Sequence, residues 1–307
     1  MPTLSEGGPP SLYEPIRYAM AGNAKRIRPV LLLLTCDALK GPVEDALPAA
    51  AAVELMHNFT LVHDDIMDHD ATRRGRPTVH NKWDNDVALL AGDGLLVVAY
   101  RSLLQSRSPN IARIAQVFTE GILEICEGQA LDRDFEQRDD ITMASYLDMI
   151  MRKTARLLAV CTEIGALTAS ATEAQLKLFR QFGEHLGLAF QIQDDLLDIT
   201  VSQEILGKDF GSDVKRHKRT FLYVHVMTLG TPQYRENLRT YFQKPVMNDA
   251  DILAVQKIFY DASAISAAEQ AVRGHLQKAH DCLTQLEPVV DTIALRELVE
   301  MILRRNA

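Results

Sequence analysis

AAAAVELMHNFTLVHDDIMD, residues 49–68, carries apolar residues at three- and four-residue spacing, the period of a helix face. It ends in Asp64, Asp65 and Asp68, a DDxxD pattern, and the chain runs on as HDATRRG through Arg73 and Arg74. Residues four apart on a helix lie one turn above each other. Asp64 and Asp68 therefore share a face, and Asp65 is turned from it by about 100°. Like charges at that spacing weaken a bare helix. Something positive has to offset them, and a divalent cation is the obvious candidate. For one isolated DDxxD, a solvated acidic face or a capped helix end explains the pattern equally well.

The same period recurs outward from this stretch, over residues 86–106, 143–169, 172–200 and 292–305, each read as one helix. Prolines fall mostly between these segments, where they punctuate helices. Alternating strand patterns are hard to find. Two polar, glycine-containing connections stand out, residues 69–85 and 201–220. With 307 residues, 47% of them hydrophobic, the chain can bury one large core. No repeat or long linker divides it, so the expectation is one all-helical domain over residues 1–307.

A net charge of −8 argues against a general nucleic-acid binder, but leaves room for an anionic ligand held by local cations or metal. Cys36, Cys126, Cys161 and Cys282 form no CxxC pair, which reads as reduced thiols in a cytoplasmic protein. The first residues lack a basic start followed by an apolar run, so no signal peptide is expected. The greasy run at 30–34 is too short to span a bilayer, so no stable membrane anchor is expected either.

The acidic pattern has an echo. Asp194, Asp195 and Asp198 form DDLLD within FQIQDDLLDIT, again on an apolar helix and again before a polar loop. Two such clusters are hard to explain as surface decoration. Facing each other, they would hold several hard ions, and all-oxygen ligands suit magnesium. Cations lie near both: Arg73 and Arg74 after the first, Lys208 and Lys218 after the second, Lys153 beside Thr154 in MRKTARLL, and Lys25, Arg26 and Arg28 in GNAKRIRP. Each alone reads as an ordinary surface cation. Beside two acidic clusters they suggest diphosphates shared between metal ions, guanidinium forks and ammonium groups. Arg304 and Arg305 read better as a solvated helix end.

With these motifs, the sequence resembles the trans-polyprenyl diphosphate synthases, which are head-to-tail prenyltransferases. The paired DDxxD motifs, the RRG after the first and the QxxDDxxD form of the second, starting at Gln191, carry the likeness from about Tyr13 to beyond Thr220. HNFTLVHDDIMD looks especially like short-chain synthases that make geranylgeranyl diphosphate. The resemblance implies a bundle of mostly antiparallel helices around a deep central cavity, usually as a homodimer. It implies isopentenyl diphosphate and an allylic diphosphate as substrates, with magnesium, three ions per active site, as cofactor. Asp64, Asp68 and Asp194 would be the main metal ligands, supported by Asp65, Asp195 and Asp198. Arg73, Lys153, Thr154, Gln191, Lys208 and Lys218 would surround the allylic diphosphate. Lys25, Arg28, His57 and Arg74 would bind isopentenyl diphosphate. His57 by itself would read as a satisfied core histidine; it lies about two turns before Asp64 and can share its face.

Product length is expected to rest on Phe59, five residues before Asp64 and about 7.5 Å along the helix axis at ~1.5 Å per residue. Thr60 is small, and Met56 and Ala52 lie deeper. Phe59 by itself also reads as ordinary core packing, but the resemblance to short-chain synthases implies that an aromatic here acts as a floor, stopping the chain at twenty carbons, with farnesyl diphosphate as intermediate or alternative main product. Three other readings compete. A terpene cyclase would carry an NSE-type second motif in place of DDLLD. An HD-type phosphohydrolase, prompted by His63-Asp64, would need more histidine ligands. A non-catalytic partner subunit would be free to lose the acids that are complete here.

Overall fold

The computed structural model describes residues 8–22, 24–200 and 211–303; Lys208, Arg304 and Arg305 lie outside the described residues. The fold is all-α, with one very small hairpin. Its contacts group into two compact units.

The first unit comprises residues 1–119, 160–177 and 289–295. Its helices are α1 (Pro10–Met20), α2 (Ile27–Ala38), α3 (Val43–Met67), the short α4 (Val79–Lys82), α5 (Asn85–Leu103) and the start of α6 (Ile111–Glu136). α3 begins after Pro42 with Glu44 and Asp45 in its first turn, where acids favour the helix dipole. Its alanine run has the highest helix propensity of any residue. The helix is buried nearly all round, from Ala46 through Phe59 to Val62, and packs along α5, α2 and α1. Its buried Glu54 accepts from Arg26 at 3.3 Å, so this acid is paired in the interior.

The connection after α3 is not simply a loop. Thr72–Arg73 pairs antiparallel with Arg76–Pro77 across Arg74 and Gly75, whose φ values are +54° and +72°. Two consecutive left-handed residues make the turn that matches strand twist. Strands of two residues are too short to show alternation, which is why the sequence reads as loop.

The second unit comprises residues 120–159, 178–288 and 296–307. It holds most of α6, then α7 (Met143–Ile150), a π-turn (Met151–Ala155), the start of α8 (Arg156–Thr168) and most of α9 (Glu173–Thr200). There follow α10 (Ser212–Lys215), α11 (Phe221–Leu229), α12 (Pro232–Phe242), α13 (Asp249–Asp261), α14 (Ala264–Leu286) and the end of α15 (Ile293–Leu303). Phe135, Tyr146, Ile192, Leu222, Tyr223 and Phe259 are core residues here.

Residues 143–169, read from periodicity as one helix, are interrupted by the π-turn. A Cβ on Gly128 of α6 would lie 2.2 Å from the backbone N of Lys153, and one on Gly187 of α9 would lie 2.3 Å from Ala155 Cα. Backbone thus meets backbone on both sides of the turn. Such single-turn π-bulges concentrate at functional sites, and this one carries Lys153 and Thr154.

Candidate functional site

The first cluster sits at the C-terminal end of α3, with Asp68 as its C-cap. Three carboxylates there oppose the helix dipole as well as one another. Asp64 and Asp68 are half-buried, whereas Asp65 is 4% exposed and turned inward. Arg73 Nε donates to Asp65 Oδ1 at 2.5 Å, and Arg73 Nη2 donates to Asp70 Oδ2 at 3.3 Å. Burial pushes Asp65 up to about 6, against the opposing pull of the Arg73 charge. Asp65 therefore holds an arginine from below while its two neighbours stay nearer the surface.

His57 lies on the same helix. Burial, then the charges of Arg28, Arg74 and Arg73, hold it well below the usual histidine range. A neutral ring accepts at one nitrogen, and Arg28 Nη1 lies 3.1 Å from His57 Nε2, so Arg28 donates. The structure thus brings His57, Arg28, Arg73 and Arg74 into one electrostatic neighbourhood. Lys25 is exposed. Between Lys25 and Arg28, Arg26 is left-handed (φ +49°) and anchors the segment by bonds to Glu54 and the Met20 carbonyl.

Phe59 is 8% exposed and meets His63 edge-on, with ring centroids 4.8 Å apart. Gly92 of α5 makes room for that imidazole: a Cβ there would lie 2.1 Å from His63 Nε2. Met56 and Ala52 are fully buried, and Thr60 spends its hydroxyl proton on the His57 carbonyl at 2.8 Å.

In the second unit, Lys153 on the π-turn donates to Asp132 Oδ2 at 2.6 Å. Lys218 donates to the same oxygen at 3.1 Å and to Glu136 at 2.7 Å. Burial works against ionisation of Asp132, but the two ammonium groups hold its carboxyl below the usual range. Sequence reasoning missed Asp132 and Glu136. The available signal was an acid pair at four-residue spacing on one helix face, with nothing local to say that two distant lysines would meet it.

The second aspartate cluster lies near the end of α9. Asp194 is half-buried, while Asp195 and Asp198 are buried. Asp195 Oδ2 accepts from the Tyr146 hydroxyl at 2.6 Å and the Phe221 amide at 2.9 Å, and its Oδ1 accepts from Gln191 Nε2 at 2.9 Å. Thr154 Oγ1 in turn donates to Gln191 Oε1 at 2.7 Å. Burial and then the charge of Asp213 push Asp195 up to about 7, against these three hydrogen bonds. Asp198 accepts from Ser212 Oγ at 2.7 Å and the Asp213 amide at 3.0 Å, so it caps α10. Tyr146 was also missed; a tyrosine on an apolar helix face gives no local sign of a buried acid far along the chain.

Among the described residues, no three His, Cys, Asp or Glu side chains form a ready-made metal cage. Asp64, Asp68 and Asp194 offer hard carboxylate oxygens at half-buried positions. Carboxylates of this kind, in each unit taken by itself, fit magnesium, which takes one or two protein carboxylates and completes its octahedron with water and substrate phosphate.

A polyprenyl synthetase family model matches residues 9–259. Geranylgeranyl diphosphate synthase of Sulfolobus acidocaldarius is 39% identical over 312 residues, covering 98% of this chain and 92% of that protein. A crystal structure of a geranylgeranyl pyrophosphate synthase superposes with a TM-score of 0.92 at 34% identity, covering 98% of this chain and 93% of the other. The Corynebacterium glutamicum geranylgeranyl pyrophosphate synthase, complexed with isoprenyl diphosphate and magnesium, superposes with a TM-score of 0.87 at 26% identity, covering 97% and 91%. Both aspartate clusters and most of the cations fall inside the matched segment, and the chain belongs to the polyprenyl synthetase family.

Proposed function

We propose that this protein condenses isopentenyl diphosphate head-to-tail with an allylic diphosphate (dimethylallyl, geranyl or farnesyl) and releases geranylgeranyl diphosphate. The observation that carries the reading is the doubled DDxxD, each copy with a half-buried leading aspartate, the first with Arg73 bonded to Asp65; Lys153 and Lys218 of the second unit meet at Asp132. The 39% identity to a geranylgeranyl diphosphate synthase, over 98% of this chain, supports the twenty-carbon product.

In this reading the C–O bond of the allylic diphosphate breaks, leaving pyrophosphate and an allylic cation. The double bond of isopentenyl diphosphate supplies the electron pair of the new C–C bond. A proton then leaves the former isopentenyl unit for pyrophosphate, since no side chain stands out as a base. Magnesium, when bound by Asp64, Asp68 and Asp194, supplies positive charge to the diphosphate oxygens. Arg73, Lys153 and Lys218 bind the allylic diphosphate, with Lys208 assigned beside them from sequence. Arg28, Arg74 and Lys25 bind that of isopentenyl diphosphate, and neutral His57 acts by orienting Arg28. Thr154 and Gln191 turn oxygen dipoles toward the cation, which has to be kept from water.

Phe59 serves as the floor for the growing chain, backed by His63. The assay is direct: pure protein, magnesium, isopentenyl diphosphate and a labelled allylic diphosphate, followed by extraction and sizing of the lipid. Twenty-carbon product is expected from the native protein, and twenty-five carbons or more from Phe59→Ala. Truncating a buried Phe costs about 3–5 kcal/mol, so the variant is first shown to be folded. A folded Phe59→Ala protein that still stops at the native length refutes the floor. No lipid product at all refutes the activity.

We infer, further, that residues 1–307 act as one catalytic domain, supported by a family match that runs through parts of both units. A homodimer is supported by Leu90, Val97 and Leu104, at seven-residue spacing along α5 and its C-cap, which are 57%, 68% and 63% exposed in the single chain. A row of that kind is what a second copy covers. Sedimentation of the native protein tests it. Among the described residues no helix is long and apolar enough to cross a membrane. A cytoplasmic placement is inferred separately, from the free cysteines.

A further inference from the structure

We propose that Asp195 and Tyr146 are positioning residues that fix the polarity of a hydrogen-bond relay ending at Thr154, so that Thr154 meets the substrate as an acceptor only. This rests on the reading of Thr154 and Gln191 as groups that stabilise the allylic cation, and deepens it.

The relay runs through α7, α9, α11 and the π-turn. The Tyr146 hydroxyl and the Phe221 amide both point their hydrogens at Asp195 Oδ2. As a carboxylate, Asp195 has acceptors and no donors, so in that form the side of Gln191 facing its Oδ1 is the NH₂, as the geometry places it. That choice leaves Gln191 Oε1 facing Thr154, where it takes the hydroxyl proton at 2.7 Å. A hydroxyl has one proton. With it committed to Gln191, Thr154 Oγ1 has only lone pairs left to offer. A positive carbon is attracted by lone pairs and repelled by an O–H hydrogen, so the direction of the relay matters as much as its presence. Four polar groups and an acid have been gathered in a site where Tyr146 is 1% and Asp195 5% exposed. An apolar core would avoid the desolvation that such a network has to offset. The motif places Asp195 beside a metal ligand, yet its two oxygens already accept three bonds from the protein.

Steady-state kinetics and magnesium titrations of Asp195→Asn, Asp194→Asn and Thr154→Val separate the possibilities, each variant first shown to be helical by circular dichroism. In Asp195→Asn the new side-chain amide presents an N–H where the native carboxylate accepts one, so the Gln191 amide turns over and the relay reverses. The expected result is a kcat lower by about tenfold, the rate equivalent of one hydrogen bond. Both KM values and the half-saturating magnesium concentration stay within about twofold. Asp194→Asn, by contrast, raises the magnesium requirement. The double variant Asp195→Asn with Gln191→Glu restores an acceptor next to the Thr154 hydroxyl, and its kcat is expected to exceed that of either single change. Asp195→Asn with unchanged kcat, or with a magnesium requirement raised as in Asp194→Asn, overturns the proposal. Thr154→Val at native kcat would instead remove the underlying reading of Thr154. Should Asp195→Asn not fold, Tyr146→Phe carries the test: kcat reduced about two- to threefold at constant KM supports the relay, and native kcat overturns it.

Discussion

Asp65 and Asp195 occupy the same place in two copies of one motif, and each is turned into the protein. What meets them differs. Asp65 meets a cation, Arg73, eight residues along the chain. Asp195 meets three neutral donors, from Tyr146, Phe221 and Gln191. Burial raises both carboxyls, Asp65 to about 6 and Asp195 to about 7. The smaller rise goes with the opposing full charge of the guanidinium, the larger with dipoles alone and with Asp213 nearby. The same sequence device therefore positions a cation, Arg73, in one unit and a set of oriented dipoles in the other. The leading acids, Asp64 and Asp194, remain half-buried in both.

That contrast can be broken at several levels. The largest effect is expected where the two clusters are alike. Asp64→Ala and Asp194→Ala should each lower turnover by several orders of magnitude with the helical fold intact, and Asp64→Ala should slightly stabilise the metal-free protein, because like-charge repulsion falls. Turnover near the native value at saturating magnesium, in either variant, would show that the clusters do not share a function.

Next come the arginines. If Arg73 and Arg74 serve different diphosphates, Arg74→Ala should raise the KM for isopentenyl diphosphate about tenfold more than that for the allylic substrate, and Arg73→Ala should do the reverse, the loss of one charge-assisted hydrogen bond in each case. Equal effects on both substrates would end the division of labour and leave the enzyme class untouched.

A smaller effect sharpens the comparison of the two middle aspartates. Asp65→Asn weakens the hold on Arg73 and should raise the allylic KM severalfold with little change in kcat. This is the opposite split from the one expected at Asp195. A drop in kcat alone would place both aspartates in one role.

The smallest concerns pH and His57. Its folded-state pKa is depressed by burial and by three arginines, so below about 6.5 the unfolded chain binds a proton that the folded chain refuses. Stability is then present above the unfolded pKa and is lost as pH falls below it. Asp65 and Asp195, raised by burial, slope the other way over the same range, so the His57 decline is read as a difference: on acidification of the metal-free protein from pH 7 to 5, His57→Gln should lose less thermal stability than the native protein. A slope unchanged by His57→Gln would assign the decline to the other histidines with depressed values, His275 foremost.

The sequence by itself determined the helices, because a period near 3.6 in the apolar residues leaves few alternatives to amphipathic packing. It also determined the two acidic motifs and turned Asp65 away from Asp64 and Asp68, since those follow from residue spacing along one helix. Tertiary structure alone decided what meets each inward aspartate, because Tyr146 and Asp195 are 49 residues apart and no local pattern links them. It decided that Asp132 anchors two lysines, one 21 and one 86 residues away. It also decided the π-turn under Lys153 and Thr154, which depends on how closely the glycine-bearing backbones of α6 and α9 approach it. Spacing along a chain sets which side chains share a face; which distant groups arrive at that face is set by the packing of the whole unit.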